Sequence, residues 1–214
     1  MNNNIEDIRK NYCLKTLNEV DVENNPISQF EKWWEEATLS KIDEVNSMTL
    51  STASSNGLPL ARIVLLKGFN EKGFIFFTNY ESLKGKELAE NPRACLLFFW
   101  KELERQVRIV GITEQLSAKE NDDYFYSRPI ASQIGACASP QSRVIENRLW
   151  LDNQFEELSK KQNETPIQRP SYWGGYIVKP VLVEFWQGRT SRLHDRLQYH
   201  LQDDGSWTLE RLAP

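Results

Sequence analysis

The feature that most constrains the fold is a succession of short β-type runs separated by turn residues. Residues 48–54 and 59–69 have strand character, and the Ser-Asn-Gly sequence between them (55–57) is a favourable hairpin turn. A second turn at 70–73 leads into the aromatic run 74–78. Since strands joined by hairpins pair in antiparallel order, the pattern predicts an antiparallel barrel or sheet with α+β character.

Helix signals lie on either side of these strands. Ser28 is a possible N-cap for an amphipathic helix over 28–41. Ser117 and Glu120 form a capping box that opens a helix through Tyr126. The other predicted elements are a helix over 82–90, a helix marked by Val144, Leu151, Phe155 and Leu158, and strands over 94–100, 106–115, 175–187, about 191–198 and 207–212.

The bulk composition narrows the function classes. A chain of 214 residues with a net charge of −4 has no general attraction for nucleic acid. Cys13, Cys95 and Cys137 are far apart, which favours reduced thiols in a cytosolic protein over disulfides or a zinc site. Neither a signal-peptide core nor an apolar run of membrane-spanning length occurs, so we expect a soluble cytoplasmic protein without a membrane partner.

A first set of candidate anion ligands lies in and after the strand 59–69. The chain has no Gly-x-Gly-x-x-Gly and no Walker-type loop, so side chains must hold any bound phosphate. Arg62 and Lys67 are five residues apart, and a regular strand would point them to opposite faces, towards two neighbouring anions. The alternative, two ordinary charges at a strand end, fits the spacing equally well. Thr78, Ser82 and Lys84 follow just beyond.

A second set consists of Tyr124, Arg128 and Ser132. Spacings of four put the three near one face of a helix, although Pro129 interrupts a continuous helix. Two hydroxyls and a guanidinium suit a phosphate monoester. A capped helix end with a structural arginine remains the alternative.

The third candidate site is the stretch 184–196. Arg192, His194 and Arg196 recur at every second position, so an extended strand over 191–197 would line them up on one face. Trp186 lies across a predicted hairpin, and an aromatic ring beside guanidinium groups suits a flat anionic ligand. A solvated edge strand is the alternative.

Several of these motifs resemble those of the pyridoxamine 5′-phosphate oxidase family. Trp-Gln-Gly-x-x-x-Arg-Leu-His-Asp-Arg (186–196) and the final Arg-Leu-Ala-Pro (211–214) are similar to its C-terminal signature. Arg-Ile-Val-Leu-Leu-Lys (62–67) is similar to its FMN-binding strand. The resemblance runs from about residue 9 to the C-terminus, with little match across 143–169. The departures are Leu83, where the family commonly has arginine, and Cys137, Ala138 and Pro140.

The resemblance implies an α+β, mainly antiparallel fold, the FMN-binding split β-barrel with peripheral helices, as a homodimer. It divides one structural domain into a mobile N-terminal arm (1–26), an FMN-binding core (27–170) and a C-terminal dimerisation region (171–214). The implied reaction is the FMN-dependent oxidation of pyridoxamine 5′-phosphate and pyridoxine 5′-phosphate to pyridoxal 5′-phosphate. O2 would be the electron acceptor and H2O2 a product.

Residue roles follow from the same resemblance. Arg192 and His194 would be the catalytic pair, Arg192 covering the substrate ring and His194 bonding near C4′; both orient the substrate rather than act as an obligatory base. The substrate residues would be Arg9, Tyr12, Lys67, Tyr124, Arg128, Ser132, Arg192 and His194. The FMN residues would be Arg62, Ile63, Val64, Leu65, Leu66, Lys67, Phe77, Thr78, Ser82, Lys84, Gln106, Gln141, Ser142, Trp186 and Arg196.

Two other functions compete with this interpretation. A different flavin oxidoreductase on the same barrel would keep the first set but need not keep Tyr124, Arg128 and Ser132. A protein that binds pyridoxal phosphate or flavin without catalysis would keep both sets and fail to turn over.

Overall fold

The computed structural model describes residues 4–8, 10–162 and 165–214. Among these residues the chain forms five α-helices and a nine-stranded sheet. The helices are α1 (Pro26–Leu39), α2 (Leu83–Glu90), α3 (Ala118–Ser127), α4 (Ile130–Ala138) and α5 (Arg148–Gln162). The strands are β1 (Ser47–Ala53), β2 (Pro59–Leu65), β3 (Gly68–Asn70), β4 (Gly73–Asn79), β5 (Arg93–Trp100), β6 (Arg105–Gln115), β7 (Trp173–Gln187), β8 (Asp195–Leu201) and β9 (Trp207–Arg211).

The strand order is β2-β1-β5-β6-β7-β4-β3, with β8 paired to β7 and β9 paired to β8. The pairs β3–β4, β4–β7, β7–β8 and β8–β9 are all antiparallel. The mainly antiparallel α+β fold is therefore confirmed. No helix in the described ranges is long and apolar enough to cross a membrane.

The chain divides into two compact units. The terminal unit comprises the described residues within 1–50, 95–111 and 180–214, and the central unit comprises those within 51–94 and 112–179. The predicted segments 1–26, 27–170 and 171–214 stay a prediction.

The terminal unit has an aromatic core beneath α1. Phe30 contacts Phe98 with ring centroids 5.2 Å apart, and Trp33 meets the Phe185 ring edge-on at 5.1 Å. Phe30, Phe98 and Phe185 are fully buried. The apolar stripe of one helix against alternating strand residues supplies the burial that fixes this unit.

The central unit is organised around the β4–β7 pair. Phe76 lies opposite Tyr176 in the register, and the two rings stack at 5.7 Å. Phe125 of α3 packs edge-on against Trp173 at 5.1 Å. These contacts hold α3 on the sheet, beside the residues of the second candidate set.

Several predicted elements form at their expected places. Ser117 and Glu120 make the reciprocal hydrogen bonds of a capping box, which confirms the start of α3. Gly57 adopts a left-handed φ of 85° in the predicted turn at 55–57, and Gly205 has a φ of 84° in the turn before β9.

Other boundaries were wrong. Asn25, not Ser28, caps α1, because its side chain accepts from the Ile27 N–H at 2.8 Å and Pro26 suits the first helical position. The predicted strand 59–69 is two strands, β2 and β3, interrupted after Leu65. The helix marked by Val144 begins only at Arg148, and Val144 is exposed.

The largest correction concerns the predicted strand 191–197. Thr190–Arg192 forms a short 3-10 turn, and β8 starts at Asp195. Ser191 and Arg192 have φ values of 57° and 61°, which no extended strand allows. Arg192, His194 and Arg196 therefore do not share a strand face.

Candidate functional site

A cavity of about 760 Å³ opens in the central unit between β2, β4, α3 and α4. Its described lining contains the cations Arg62, Lys67, Lys84 and Arg128 and no carboxylate. Such a lining attracts an anion. The predicted residues that line it are Arg62, Ile63, Val64, Leu65, Lys67, Phe77, Thr78, Lys84, Tyr124, Arg128, Ser132 and Gln141.

Arg62 and Lys67 reach this one cavity, although regular strand alternation predicts opposite faces. The strand ends at Leu65, so alternation does not extend to Lys67. The Arg62 guanidinium donates to the Thr52 hydroxyl and, at 3.2 Å, to the buried Glu87 carboxylate. Thr52 and Glu87, which sequence reasoning missed, thus orient Arg62 from behind.

Lys84 is the most buried cation of the cavity, at 8% exposure. Its ammonium donates to Ser82 Oγ at 3.3 Å, and Ser82 caps α2 by accepting from the Gly85 N–H. Burial, followed by the charge of Arg62, lowers the pKa of Lys84, and Glu87 opposes this. An anion beside Arg62 and Lys84 would relieve their mutual repulsion.

Arg128 lies in the kink between α3 and α4. Its guanidinium sits over the Trp173 ring at 4.6 Å and donates through Nη2 to the Ser132 carbonyl at 2.9 Å. Its Nη1 is buried and has no hydrogen-bond partner within the described ranges. Burial lowers the pKa of Arg128. A buried donor without an acceptor is costly, so the geometry favours an anionic acceptor here.

Tyr124 and Ser132 complete the second set without sharing a helix. The Tyr124 ring stacks on Phe77 with centroids 3.8 Å apart. Tyr124 belongs to α3 and Ser132 to α4, with Arg128 and Pro129 between the helices. The prediction of one helix face was wrong, but the three residues still line one cavity.

A second cavity, of about 600 Å³, lies in the terminal unit. It is lined by the N-terminal residues Ile8, Lys10, Asn11 and Tyr12 and by the loop residues Arg189, Ser191, Arg192 and His194. The Tyr12 ring meets the Trp186 ring edge-on with centroids 5.7 Å apart, and the centroids of the His194 and Trp186 rings are 4.7 Å apart. Arg9, which the resemblance assigns to the substrate, lies outside the described residues.

His194 is held in one tautomer. Its Nδ1 accepts from the Arg189 backbone N–H at 3.0 Å, so the neutral ring carries its proton on Nε2. Burial, followed by the charge of Arg192, lowers the pKa of His194, and Asp195 opposes this. His194 is therefore a neutral hydrogen-bond donor near pH 7.

The remaining predicted residues lie outside both linings. Arg196 donates to Glu184 at 2.7 Å and to the Ala213 carbonyl at 2.8 Å. Glu184 is buried and also accepts from Arg108. Leu66 is buried in the central unit. In the same unit the Ser82 hydroxyl accepts from the Lys84 ammonium, and Ser142 has a left-handed φ of 70°. Gln106 and Trp186 are half-buried strand residues of the terminal unit.

Two family models match this chain. The model described as pyridoxamine 5′-phosphate oxidase matches residues 35–162. The model described as the pyridoxine 5′-phosphate oxidase C-terminal dimerisation region matches residues 173–214.

Relatives that match over nearly their whole length are named pyridoxine/pyridoxamine 5′-phosphate oxidase. Pyridoxine/pyridoxamine 5′-phosphate oxidase of Trichormus variabilis is 53% identical over 214 residues and covers 100% of both chains. The protein of that name from Paraburkholderia phymatum is 54% identical over 210 residues, covering 98% of this chain and 99% of the relative.

Two solved structures share the fold. PhzG from Burkholderia lata, in complex with tetrahydrophenazine-1-carboxylic acid, has a TM-score of 0.88 at 30% identity, covering 94% of this chain and 99% of PhzG. A pyridoxamine 5′-phosphate oxidase-related, FMN binding protein from Nostoc punctiforme has a TM-score of 0.72 at 19% identity, covering 90% and 100%. The split-barrel class is confirmed.

Proposed function

The chain belongs to the pyridoxamine 5′-phosphate oxidase family, and from this premise we propose that it oxidises pyridoxamine 5′-phosphate and pyridoxine 5′-phosphate to pyridoxal 5′-phosphate with bound FMN. O2 is the proposed electron acceptor and is reduced to H2O2; with pyridoxamine 5′-phosphate, water supplies the aldehyde oxygen and ammonia leaves. FMN supplies the redox chemistry, taking a hydride equivalent from C4′ of the substrate. The protein binds and orients the substrate.

The central cavity fits FMN. Arg62 and Lys84 are adjacent cations, and burial of Lys84 favours an anion beside it. We assign the FMN phosphate to this pair, with Ser82 beneath it. Thr78 and Gln141, joined by a 3.3 Å hydrogen bond, are polar partners for the remainder of the cofactor.

The observation that carries the substrate assignment is the buried Nη1 of Arg128, which has no hydrogen-bond partner among the residues that the structure describes. A phosphate monoester would supply the missing acceptor and take further hydrogen bonds from the Tyr124 and Ser132 hydroxyls. Lys67 adds a fourth partner in the same lining. This set favours a phosphorylated substrate over the unphosphorylated vitamer.

Arg192 and His194 have an orienting role in this proposal. The His194 Nε2–H can donate to a polar substituent near C4′ of the substrate, since Nδ1 is occupied by the Arg189 N–H. A neutral donor with a lowered pKa suits positioning better than proton abstraction. Arg192 covers the ring of the substrate.

The match to a dimerisation region supports a homodimer. We propose that two chains contribute residues to each FMN site, as a two-fold interface allows. A monomer that keeps full FMN affinity at high dilution would contradict this shared site.

The deciding experiment is peroxide release under air from the FMN-loaded protein with pyridoxamine 5′-phosphate. Stoichiometric H2O2 and pyridoxal 5′-phosphate are expected. Binding of FMN and substrate without peroxide would identify a non-catalytic binding protein. Turnover of other substrates only would identify a different flavin oxidoreductase.

Three variants test the assignment of the residues near the C-terminus. Arg192→Ala and His194→Ala should impair turnover while FMN stays bound, because both line the cavity beside Tyr12. Arg196→Ala should loosen FMN. Loss of FMN in the His194 variant, with normal FMN in the Arg196 variant, would reverse these assignments.

A further inference from the structure

Glu104 is a buried carboxylate that the proposed function does not use. It lies between the 3-10 turn Lys101–Leu103 and β6, and it is 2% exposed. Its backbone is left-handed, with φ 56° and ψ 38°. Such a conformation is costly for a glutamate, so the surrounding contacts must hold it there.

The Glu104 side chain binds the N-terminal segment of the chain. One carboxylate oxygen, Oε2, accepts from the backbone N–H of Cys13 at 2.8 Å and from that of Leu14 at 3.1 Å. The other oxygen lies 3.6 Å from the Lys10 ammonium. Glu104 therefore holds the backbone immediately after Tyr12.

The Glu104 backbone holds the surface on which Tyr12 rests. Its carbonyl accepts from the Gly188 N–H at 2.7 Å and from the Gln187 side chain at 3.2 Å. At Gly188 an added Cβ would lie 2.7 Å from Cβ and Cγ of Tyr12, so only glycine leaves room for this contact. One residue thus fixes both the segment that carries Tyr12 and the strand end beneath it.

We propose that Glu104 is a positioning residue that docks the N-terminal segment, so that Tyr12 closes the cavity beside His194. The proposal rests on the proposed function for its kinetic consequence, but the docking contact itself does not. Tyr12 and His194 line the same cavity, with ring centroids 6.0 Å apart. Undocking residues 10–14 would remove one wall of that cavity.

A second anchor limits what the loss of Glu104 can do. Leu17 is buried, and its N–H donates to Asp195 at 3.1 Å. Arg211 binds Glu19 and the Leu17 carbonyl. Removal of the Glu104 carboxylate should therefore release residues 10–14 without unfolding the terminal unit.

Glu104→Gly is the informative substitution, because glycine accepts the left-handed backbone while the carboxylate is lost. Glu44→Gly is the matched control: Glu44 is exposed, has a φ of 45° and makes no side-chain contact to the N-terminal segment among the described residues. Hydrogen exchange of the 10–14 amides should become about tenfold faster in Glu104→Gly and stay unchanged in the control. Unchanged exchange in both variants would overturn the docking contact.

Kinetics of the FMN-loaded enzyme test the positioning role. Glu104→Gly should raise KM for pyridoxamine 5′-phosphate about tenfold, equivalent to about 1.4 kcal/mol, with FMN affinity unchanged. Glu104→Gln, which keeps an acceptor oxygen, should restore part of the difference. In a Tyr12→Ala background the Glu104→Gly effect should disappear, because both changes remove the same wall.

The outcomes separate the two proposals. The positioning role would be overturned if Glu104→Gly raised KM to the same extent in the Tyr12→Ala background. It would also be overturned if Glu104→Gly lowered FMN affinity and turnover equally. If no pyridoxine-type phosphate is oxidised by the wild type, the proposed function fails while the exchange experiment still decides the docking contact.

Discussion

The cavity of the central unit and the cavity of the terminal unit differ in how their walls are held. In the central unit, Arg62 and Lys84 stand on a strand and a helix and are supported by Glu87 and Ser82. In the terminal unit, one wall is the N-terminal segment with Tyr12, and the other is the loop with Arg192. A wall made of regular elements resists displacement, whereas a docked segment can move without unfolding the protein.

The largest expected difference comes from Gly85→Ala in the central unit. An added Cβ would lie 2.2 Å from the Tyr80 carbonyl oxygen, which is backbone and cannot move aside. We expect a loss of about 3 kcal/mol of unfolding free energy, a fall in Tm of roughly 10 °C and loss of FMN. Scanning calorimetry measures it. Gly135→Ala is the control, since nothing lies within 4 Å of its Cβ and a helical alanine should be neutral or stabilising. An unchanged Tm for Gly85→Ala would show that the loop before α2 yields.

Arg128→Met should have the next largest effect, on substrate selection. Losing the charge-assisted hydrogen bond from Arg128 Nη1 to phosphate should lower kcat/KM for pyridoxamine 5′-phosphate roughly 100-fold, or about 3 kcal/mol. Unphosphorylated pyridoxamine, a poor substrate from the start, should be little affected. Arg143→Met, which removes an exposed arginine paired with Glu81, is the control. Equal losses for the phosphorylated and unphosphorylated substrates would refute the phosphate pocket.

Gly188→Ala gives the contrasting result for the terminal unit. The new methyl meets Tyr12 at 2.7 Å, but Tyr12 lies on a segment that can undock. We expect Tm to change by less than about 2 °C and KM to rise about fivefold, or about 1 kcal/mol. The Tyr12→Ala background should abolish the effect on KM. A Tm loss as large as that of Gly85→Ala would remove the contrast between the two cavities.

Leu83→Arg should have the smallest effect. Leu83 is the first residue of α2 and is 49% exposed, so its replacement costs little packing. A new arginine near the FMN phosphate should tighten FMN several-fold, or about 1 kcal/mol after solvent screening. Titration of the apo-protein by flavin fluorescence quenching at two salt concentrations measures it, with Leu83→Gln as the uncharged control. Equal or weaker binding by Leu83→Arg would mean that position 83 does not face the phosphate.

The sequence predicted the central cavity better than the terminal one, for a physical reason. Arg62, Thr78 and Lys84 lie within 23 residues of one another along the chain and all line this cavity, although strand spacing wrongly predicted opposite faces for Arg62 and Lys67. Tyr124, Arg128 and Ser132 line the same cavity although they do not share one helix face, because the chain breaks at Arg128 and Pro129, where the sequence placed the interruption. The motif resemblance therefore identified most of this site, whereas the spacing rules did not give the directions of the side chains.

The terminal cavity depends on features without a short-range pattern. Ser191 and Arg192 have left-handed φ values. A glycine in the sequence would have indicated such a backbone, whereas serine and arginine do not. Glu104 has the same property, and its partners Cys13 and Leu14 lie 91 and 90 residues away along the chain. The recurrence of charged side chains at every second position predicted a strand for 191–197. That pattern contains no information about the backbone angles.

The anchors of the N-terminal segment also set the order of events during synthesis. Leu17 is anchored by Asp195, which lies 178 residues later in the chain, and Glu19 by Arg211, which lies 192 residues later. This segment is therefore translated long before the residues that anchor it. A chain that lacks β8 and β9 has no anchor for Leu17 and Glu19. We therefore expect the Tyr12 cavity to stay open on a nascent chain until β8 and β9 have been translated.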